Sequence, residues 1–330
     1  MCDLVVTENG SVVGTEKGRI YVKLHDEELT TFPSESLESI TLMSNSTVTA
    51  YLIKQCLTKN IPILYITQNG KYLGGYRGVT TNKTSIQRAQ CELFNTEFSL
   101  NFAKKIVTSK IKNQISLLYR HKNCDDISAN IESMNNLKKR ILFCDSIDAV
   151  RGYEGRAAVI YFRGLSKLSG EFAFDCRSRR PPLDPFNSML CFGYSILYNQ
   201  IYSLIESKGL NPFFGFFHAD GDGHASLASD LMEEWRPLIV DSSILSLMRK
   251  KMIFKEQFNK DEDGGVYLNK DAIKTFRAYI QNKLFQKNHT VESVEEKKSY
   301  FDFISHQIST LIRAILQKDF SQFECMEVKA

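Results

Sequence analysis

One carboxylate between two glycines is the first sign of chemistry in this chain. In Arg151-Gly152-Tyr153-Glu154-Gly155-Arg156-Ala157-Ala158, Glu154 stands at the start of an apolar helical stretch. Glycine inside a helix costs about 1 kcal/mol relative to alanine, so two of them beside Glu154 imply that another backbone or a ligand comes close. Helix–helix packing fits the same spacing. The second candidate is His218, directly after Phe213-Phe214-Gly215-Phe216-Phe217. It sits between an apolar run and the Gly/Asp-rich loop 219–225, where an imidazole can be held rigidly and still reach a metal; a structural histidine is the plain alternative. The third lies in the segment 226–237. At about 100° per residue, Leu227, Ala228, Leu231, Met232, Trp235, Leu238 and Ile239 fall within an arc of about 140°, with Asp230 and Glu233 on the other side. Two carboxylates three residues apart on a helix suit a divalent cation and its surroundings, or a solvated acidic face. Carboxylates plus one imidazole make a hard, mixed oxygen and nitrogen site that fits Mg²⁺ or Mn²⁺ better than zinc, with the imidazole favouring Mn²⁺. The run Asp220-Gly221-Asp222-Gly223 begins like a calcium loop, but its twelfth position is Leu231, not Glu, and the motif is set aside.

These side chains need elements to position them. Residues 1–78 read as a β-rich unit, with strands over Asp3 to Thr7, Arg19 to Leu24, Ser39 to Ser44, Pro62 to Thr67 and Lys71 to Tyr76. Asn9-Gly10, Lys17-Gly18 and Asn69-Gly70 supply the positive-φ positions that hairpins need. A helix over Thr47 to Lys59, with Ser46 as N-cap, interrupts the strands. From Val79 to Phe143 there is neither Gly nor Pro, which argues for helices. Within this stretch residues 101–140 hold nine Lys or Arg against three acids. That excess fits a solvated helix face or one that tracks phosphates. Asp184 as N-cap, Pro185 at the first helical position and Gly209 past the end bracket a nearly all-round apolar helix, Phe186 to Lys208, expected at the centre of a second domain. Pro237 should bend or end the acidic helix. Tyr300 to Gln322 reads as a further amphipathic helix. The class is α+β: an N-terminal β-rich domain, 1–78, followed by a larger all-α domain, 79–330.

The totals narrow the function classes. With 330 residues, 43% hydrophobic and 24% charged, the chain is neither disordered nor fibrous and is long enough for two cores. Eight cysteines, never closer than 15 positions, exclude zinc knuckles and thioredoxin motifs and suit a reducing, cytoplasmic setting. The start, Met1-Cys2-Asp3-Leu4, has no basic and apolar leader pattern. The longest apolar stretch, Met189 to Ile205, is interrupted by Asn199 and Gln200, so no membrane span is expected. The net charge of +4 is unevenly placed: residues 1–80 hold seven basic against eight acidic residues, the remainder thirty-five against thirty.

Several motifs in one order resemble the CRISPR-associated endonuclease/integrase family of the spacer-acquisition module, Cas1. They are Gly74-Gly75-Tyr76-Arg77-Gly78, Lys110-Ile111-Lys112-Asn113-Gln114, Glu154-Gly155-Arg156-Ala157-Ala158 with Tyr161-Phe162, Asp184-Pro185-Phe186-Asn187 with Gly193-Tyr194-Ser195, Gly215-Phe216-Phe217-His218, Leu227 through Pro237, and Gly264-Gly265-Val266-Tyr267-Leu268. The resemblance implies that the β-rich domain forms a homodimer interface and that the helical domain is catalytic. It implies that Glu154, His218 and Glu233 are the metal ligands, Glu233 being one methylene longer than the Asp of many relatives, and that Asp230 supports the site from behind. It further implies DNA as substrate and the small companion protein Cas2 as bridging partner.

The reaction expected on this basis is metal-dependent joining of the 3′-hydroxyl ends of short DNA fragments to the repeat array by transesterification. A structure-selective nuclease acting on branched DNA is the alternative, and a non-catalytic nucleic-acid scaffold a third reading. Phosphate contacts are expected from Arg151, Arg156, Arg177, Arg179 and Arg180 and from the run Arg249-Lys250-Lys251.

Overall fold

The structure, a computed structural model, describes every residue except 1, 7, 26, 43, 68–71, 79–82, 122–126, 173, 220, 263, 288, 292, 293 and 326–330. The chain begins with β1 (Cys2–Val6), β2 (Val12–Glu16), β3 (Arg19–Leu24), β4 (Glu27–Pro33), β5 (Leu37–Leu42) and β6 (Thr47–Val48), then α1 (Ala50–Lys59), β7 (Ile63–Ile66) and β8 (Tyr72–Tyr76). These strands form two four-stranded sheets. One runs β4-β3-β2-β6 and the other β1-β5-β7-β8, with β1, β5 and β7 parallel and β8 antiparallel to β7. Lys17 and Gly18, both at positive φ, close the β2–β3 hairpin in a two-residue turn that pairs Glu16 with Arg19. The Asn9-Gly10 turn does something else: it carries the chain from one sheet to the other, because β1 and β2 are not neighbours. Asn69-Gly70 lies outside the described residues.

Two differences from expectation have local causes. The helix begins at Ala50, not Thr47, because the Thr49 side chain accepts from the Leu52 amide, while Thr47 and Val48 pair with β2. Ser46 is not the cap; its hydroxyl bonds those of Ser11 and Ser44. Strand β4, Glu-Glu-Leu-Thr-Thr-Phe-Pro, has no buried residue and so carries no alternation to read.

Beyond the undescribed residues 79–82 the chain is mostly helical: α2 (Thr84–Glu92), α3 (Glu97–Tyr119), α4 (Ser128–Ile141), α5 (Ile147–Ser166), α6 (Pro185–Ser207), α7 (Ser226–Met232), α8 (Ser242–Arg249), α9 (Lys270–Phe285) and α10 (Tyr300–Gln317). Two short antiparallel strand pairs, β9 (Phe258–Lys260) with β10 (Val266–Leu268) and β11 (His289–Val291) with β12 (Val294–Lys298), interrupt the helices. Buried apolar side chains gather in two clusters, one drawn from Leu4 to Ile63 and one from Ile86 to Phe323. An ion pair between Arg77 and Glu206 links the end of the β-rich part to α6.

Helix α6 is capped as its sequence dictates. Asp184 accepts from the Asn187 amide at 2.7 Å, and Gly209 takes the positive φ just past its end. It lies at the centre, packed against α7, α8, α9, α10 and β10. At Gly193 an added β-carbon would run into Val240 and Phe276, so glycine is what lets the neighbouring segment close on α6. After α7, residues Arg236–Asp241 form a π-helical turn, with the Ser242 amide bonded to the Pro237 carbonyl five residues back. Pro237 has no N–H to return to Glu233, which breaks the α-helical ladder at this point.

Candidate metal centre

Four elements converge on one spot. Helix α5, capped by Ser146, carries Glu154; α3 carries Lys110; the loop after α6 carries His218; and α7 with the following turn carries Asp230, Glu233 and Arg236. The loop is fastened before it reaches the site. Gln90 of α2 donates to the carbonyls of Asn211 and Phe214 and accepts from the Asn211 amide. Phe216 packs against the rings of Phe98 and Phe102. Gly215 lies so close to α7 that a β-carbon there would sit 2.8 Å from Asp230 Oδ2 and from Ser226. That close approach lets three consecutive amides, of Phe216, Phe217 and His218, donate to the Asp230 carboxylate at 2.7, 3.0 and 2.8 Å.

Asp230 is fully buried and also holds His218 Nδ1 at 2.7 Å. With the Nδ1 proton on that bond, the Nε2 lone pair faces Glu233, whose Oε1 is 3.5 Å away. Glu233 receives the Arg236 guanidinium on Oε1 at 3.1 Å and the Lys110 ammonium 2.6 Å from Oε2. Lys110 contacts Glu154 as well. Burial by itself pushes the Glu233 carboxyl up, but Arg236, Lys110 and His218 outweigh it and hold it down at about 2. The neighbouring Glu234 turns the other way, accepting from Gln307 of α10, which also accepts from Trp235 Nε1. Adjacent carboxylates are thus divided, Glu233 to the cluster and Glu234 to the core. Asp230 and Glu233 do share one side of the helix, as the spacing predicts, but that side is buried and not a solvated face.

The donor set suits a hard divalent cation: two carboxylates and an imidazole nitrogen that is fixed from behind by Asp230. Glu233 Oε2 is buried and makes no hydrogen bond, because the approach of Lys110 has the distance but not the direction of one. This orphaned acceptor is an oxygen that a cation could use. Among the described residues no three such side chains already surround a metal position; the Lys110 ammonium stands between Glu154 and Glu233.

Glycines 152 and 155 have a different reason for being glycine than packing within this chain. A β-carbon at either would meet nothing within 4 Å, so the helix face beside Glu154 is bare and open. Next to the cluster runs a groove of about 570 Å³ lined by Arg177, Arg179, Arg180, Arg236 and a series of aromatic rings. Phe213 stands edge-on to Tyr202, Tyr202 neighbours Tyr198, and His224 stacks on Tyr198 at 6.5 Å with its ring 6.4 Å from that of His218.

The basic residues named from sequence divide into three groups. Arg179 and Arg180 are exposed in the groove. Arg177 also lines it, but its guanidinium is half-buried and bonded to Asn187 Oδ1 at 2.7 Å and to the Ser178 carbonyl. Arg151 donates to the Phe217 carbonyl and pairs with Asp148, so it braces the His218 loop, while Arg156 lies over the Tyr153 ring. Arg249 meets His121 and Lys250 lies over Tyr279; with Lys251 they are absent from the groove lining. Lys110 and Arg236 were quoted within motifs but given no role. Lys110, counted with a helix-face excess of charge, is 5% exposed. A lysine flanked by Ile106, Val107 and Ile111 on an apolar face was the available signal, since buried ammonium groups need partners.

A family model described as CRISPR associated protein Cas1 matches residues 4–282. The chain is 33% identical over 320 residues to a CRISPR-associated endonuclease Cas1 of Mycobacterium tuberculosis, covering 96% of this chain and 94% of that protein. It is 31% identical over 319 residues to one of Thermus thermophilus, covering 94% and 93%. Among solved structures, a partial Cas6-RT-Cas1–Cas2 complex contains a chain similar at a TM-score of 0.79 and 26% identity, with 99% of each chain covered. A Cas1 protein from Thermotoga maritima is similar in fold at a TM-score of 0.76 and 22% identity, covering 95% and 97%.

Proposed function

Because the chain belongs to the Cas1 family, we propose that it is a metal-dependent DNA endonuclease/integrase whose centre is Glu154, His218 and Glu233. The observation that carries this reading is the backing of His218 by Asp230: a fully buried carboxylate holding three amides and one imidazole nitrogen fixes the other nitrogen toward Glu233. When bound, Mg²⁺ or Mn²⁺ supplies charge neutralisation at the scissile phosphate and at the attacking and leaving oxygens. In joining, the 3′-oxygen of the fragment forms a new bond to phosphorus, the bond from phosphorus to the 3′-oxygen of the repeat breaks, and the proton lost by the attacking hydroxyl is balanced by one gained by the leaving oxygen. No external energy source is required, since one phosphodiester replaces another.

The chain's own residues position that exchange. The bare face left by Gly152 and Gly155 lets a sugar–phosphate backbone approach Glu154. Arg179 and Arg180 attract phosphates along the groove, and the rings of Tyr198, Tyr202 and Phe213 offer surfaces for unpaired bases. We assign residues 1–78 as a dimerisation domain and 79–330 as the catalytic one, with Cas2, present in the similar complex, as the companion that joins two dimers. No described helix is long and apolar enough to cross a membrane. The described cysteines are free thiols, as suits work in the cytoplasm.

The test is a strand-joining assay on a repeat-containing plasmid with fragments bearing free 3′-hydroxyls, in Mg²⁺ or Mn²⁺, with and without Cas2. Covalent joining supports the proposal. Cleavage of branched DNA without joining would favour the structure-selective nuclease, and DNA binding without any metal-dependent reaction would favour the scaffold.

A further inference from the structure

Lys110 occupies the space a metal would need. Its ammonium touches Glu154, lies 2.6 Å from Glu233 Oε2 and is buried beneath both. Two carboxylates this close repel one another in a low-dielectric setting unless a cation intervenes, and a buried ammonium is equally costly without acceptors. Arg236 already serves Glu233 Oε1 from the other side, so Lys110 is the group that joins Glu154 to Glu233. The pairing has the distance of an ion pair but, toward Glu233 Oε2, not the geometry of a hydrogen bond, so charge and not direction holds it. Helix α3, packed against α4, α5 and the π-helical turn, keeps the lysine stem in place whatever the ammonium does.

We propose that Lys110 is a built-in counter-cation, standing in for the divalent metal while the site is metal-free and competing with it for the same carboxylates. Metal entry then requires the ammonium to leave the gap between Glu154 and Glu233. The inference rests on the reading of Glu154, His218 and Glu233 as metal ligands.

The experiment measures Mn²⁺ binding to the full chain by calorimetry, without DNA, in wild type, Lys110→Met, Lys110→Arg and His218→Ala, together with melting temperatures with and without Mn²⁺. Lys110→Met removes the competing charge and should bind Mn²⁺ at least about tenfold more tightly. Lys110→Arg keeps the charge and should bind no more tightly than wild type. Without metal, Lys110→Met should melt below wild type, and saturating Mn²⁺ should raise its melting temperature by more than it raises that of wild type. Wild-type binding too weak to measure beside measurable binding by Lys110→Met supports the proposal. Equal or weaker binding by Lys110→Met overturns it, as does binding too weak to measure in both. If Lys110→Met folds only when Mn²⁺ is present, substitution by metal is demonstrated; failure to fold even in saturating Mn²⁺ overturns the proposal in favour of a purely structural lysine. Wild-type Mn²⁺ affinity in His218→Ala would instead remove the ligand assignment itself, independently of how Lys110→Met behaves.

Discussion

Glu233 and Asp241 are buried carboxylates eight residues apart on one backbone, and their surroundings treat them in opposite ways. Glu233 is ringed by Lys110, Arg236 and His218, which hold it down at about 2. Asp241 accepts instead from two phenols, Tyr161 Oη at 2.6 Å and Tyr194 Oη at 2.7 Å, and burial pushes it up to about 6 against those bonds and the more distant Arg236 and Arg177. Depth is equal, so contact with charge decides the difference: hydrogen bonds from neutral hydroxyls do not offset desolvation, whereas cations in contact do. The two regions are also joined. Arg236 lies over the Tyr194 ring at 4.8 Å, so the neutral cluster forms a platform under a cation that serves the charged one.

The most severe test of this contrast is loss of the reactive side. Glu154→Ala or His218→Ala should reduce metal-dependent strand joining at least about a thousandfold while moving the melting temperature by only a few degrees. Joining at the wild-type rate in a gel assay would show that the cation-ringed cluster is not the reacting one. Asp230→Asn leaves the shape but removes the charge behind His218. A loss of about 10- to 100-fold in Mn²⁺ affinity is expected, read by calorimetry, since partners behind a ligand typically have effects of that size.

The third test addresses the neutral side through pH. A carboxyl raised in the folded state favours its protonated form, so its contribution to stability is intact below its ordinary value of 3.8 and is lost as pH rises through about 6. Wild type should therefore gain up to about 2 kcal/mol relative to Asp241→Asn between pH 6.5 and 4, measured by urea denaturation. Glu233 works in the other direction and lower down: its contribution is present above 4.5 and disappears as pH falls through about 2. A difference between wild type and Asp241→Asn that does not change with pH would erase the contrast. The smallest effect, and one with two signs, belongs to Gly155→Ala. The variant should be more stable by about 1 kcal/mol, from helix propensity, yet join strands several-fold more slowly because the bare face beside Glu154 is filled.

The parts of the site that were legible in the sequence are those fixed by local pattern. Asp184-Pro185 and Gly209 bracket α6, Lys17-Gly18 closes its hairpin, and the motifs around Glu154, His218 and Glu233 bring those residues to one place. What stayed hidden depends on neighbours that spacing does not name. Lys110 was one basic residue in an excess of nine against three, and a count of charge along a helix cannot say which face turns inward. Ser46 and Thr49 are both good caps; pairing of Thr47 and Val48 with β2 decided between them. The acidic side of α7 looked like solvent-facing surface because nothing in that segment indicates that α3, α5 and the His218 loop cover it.

The π-helical turn at Arg236–Asp241 has a consequence for how this stretch tolerates change in length. Such a turn accommodates one more residue than the α-helix would, so the segment behaves as if a residue had been inserted between the two clusters. Removing one residue here would let the helix relax to ordinary phase, and everything downstream would rotate by about 100° relative to Glu233. Asp241 would then swing away from Tyr161 and Tyr194, and α8 would present a different face to α6 and α9. Substitutions at these positions alter single contacts, whereas a one-residue deletion would uncouple the two clusters altogether.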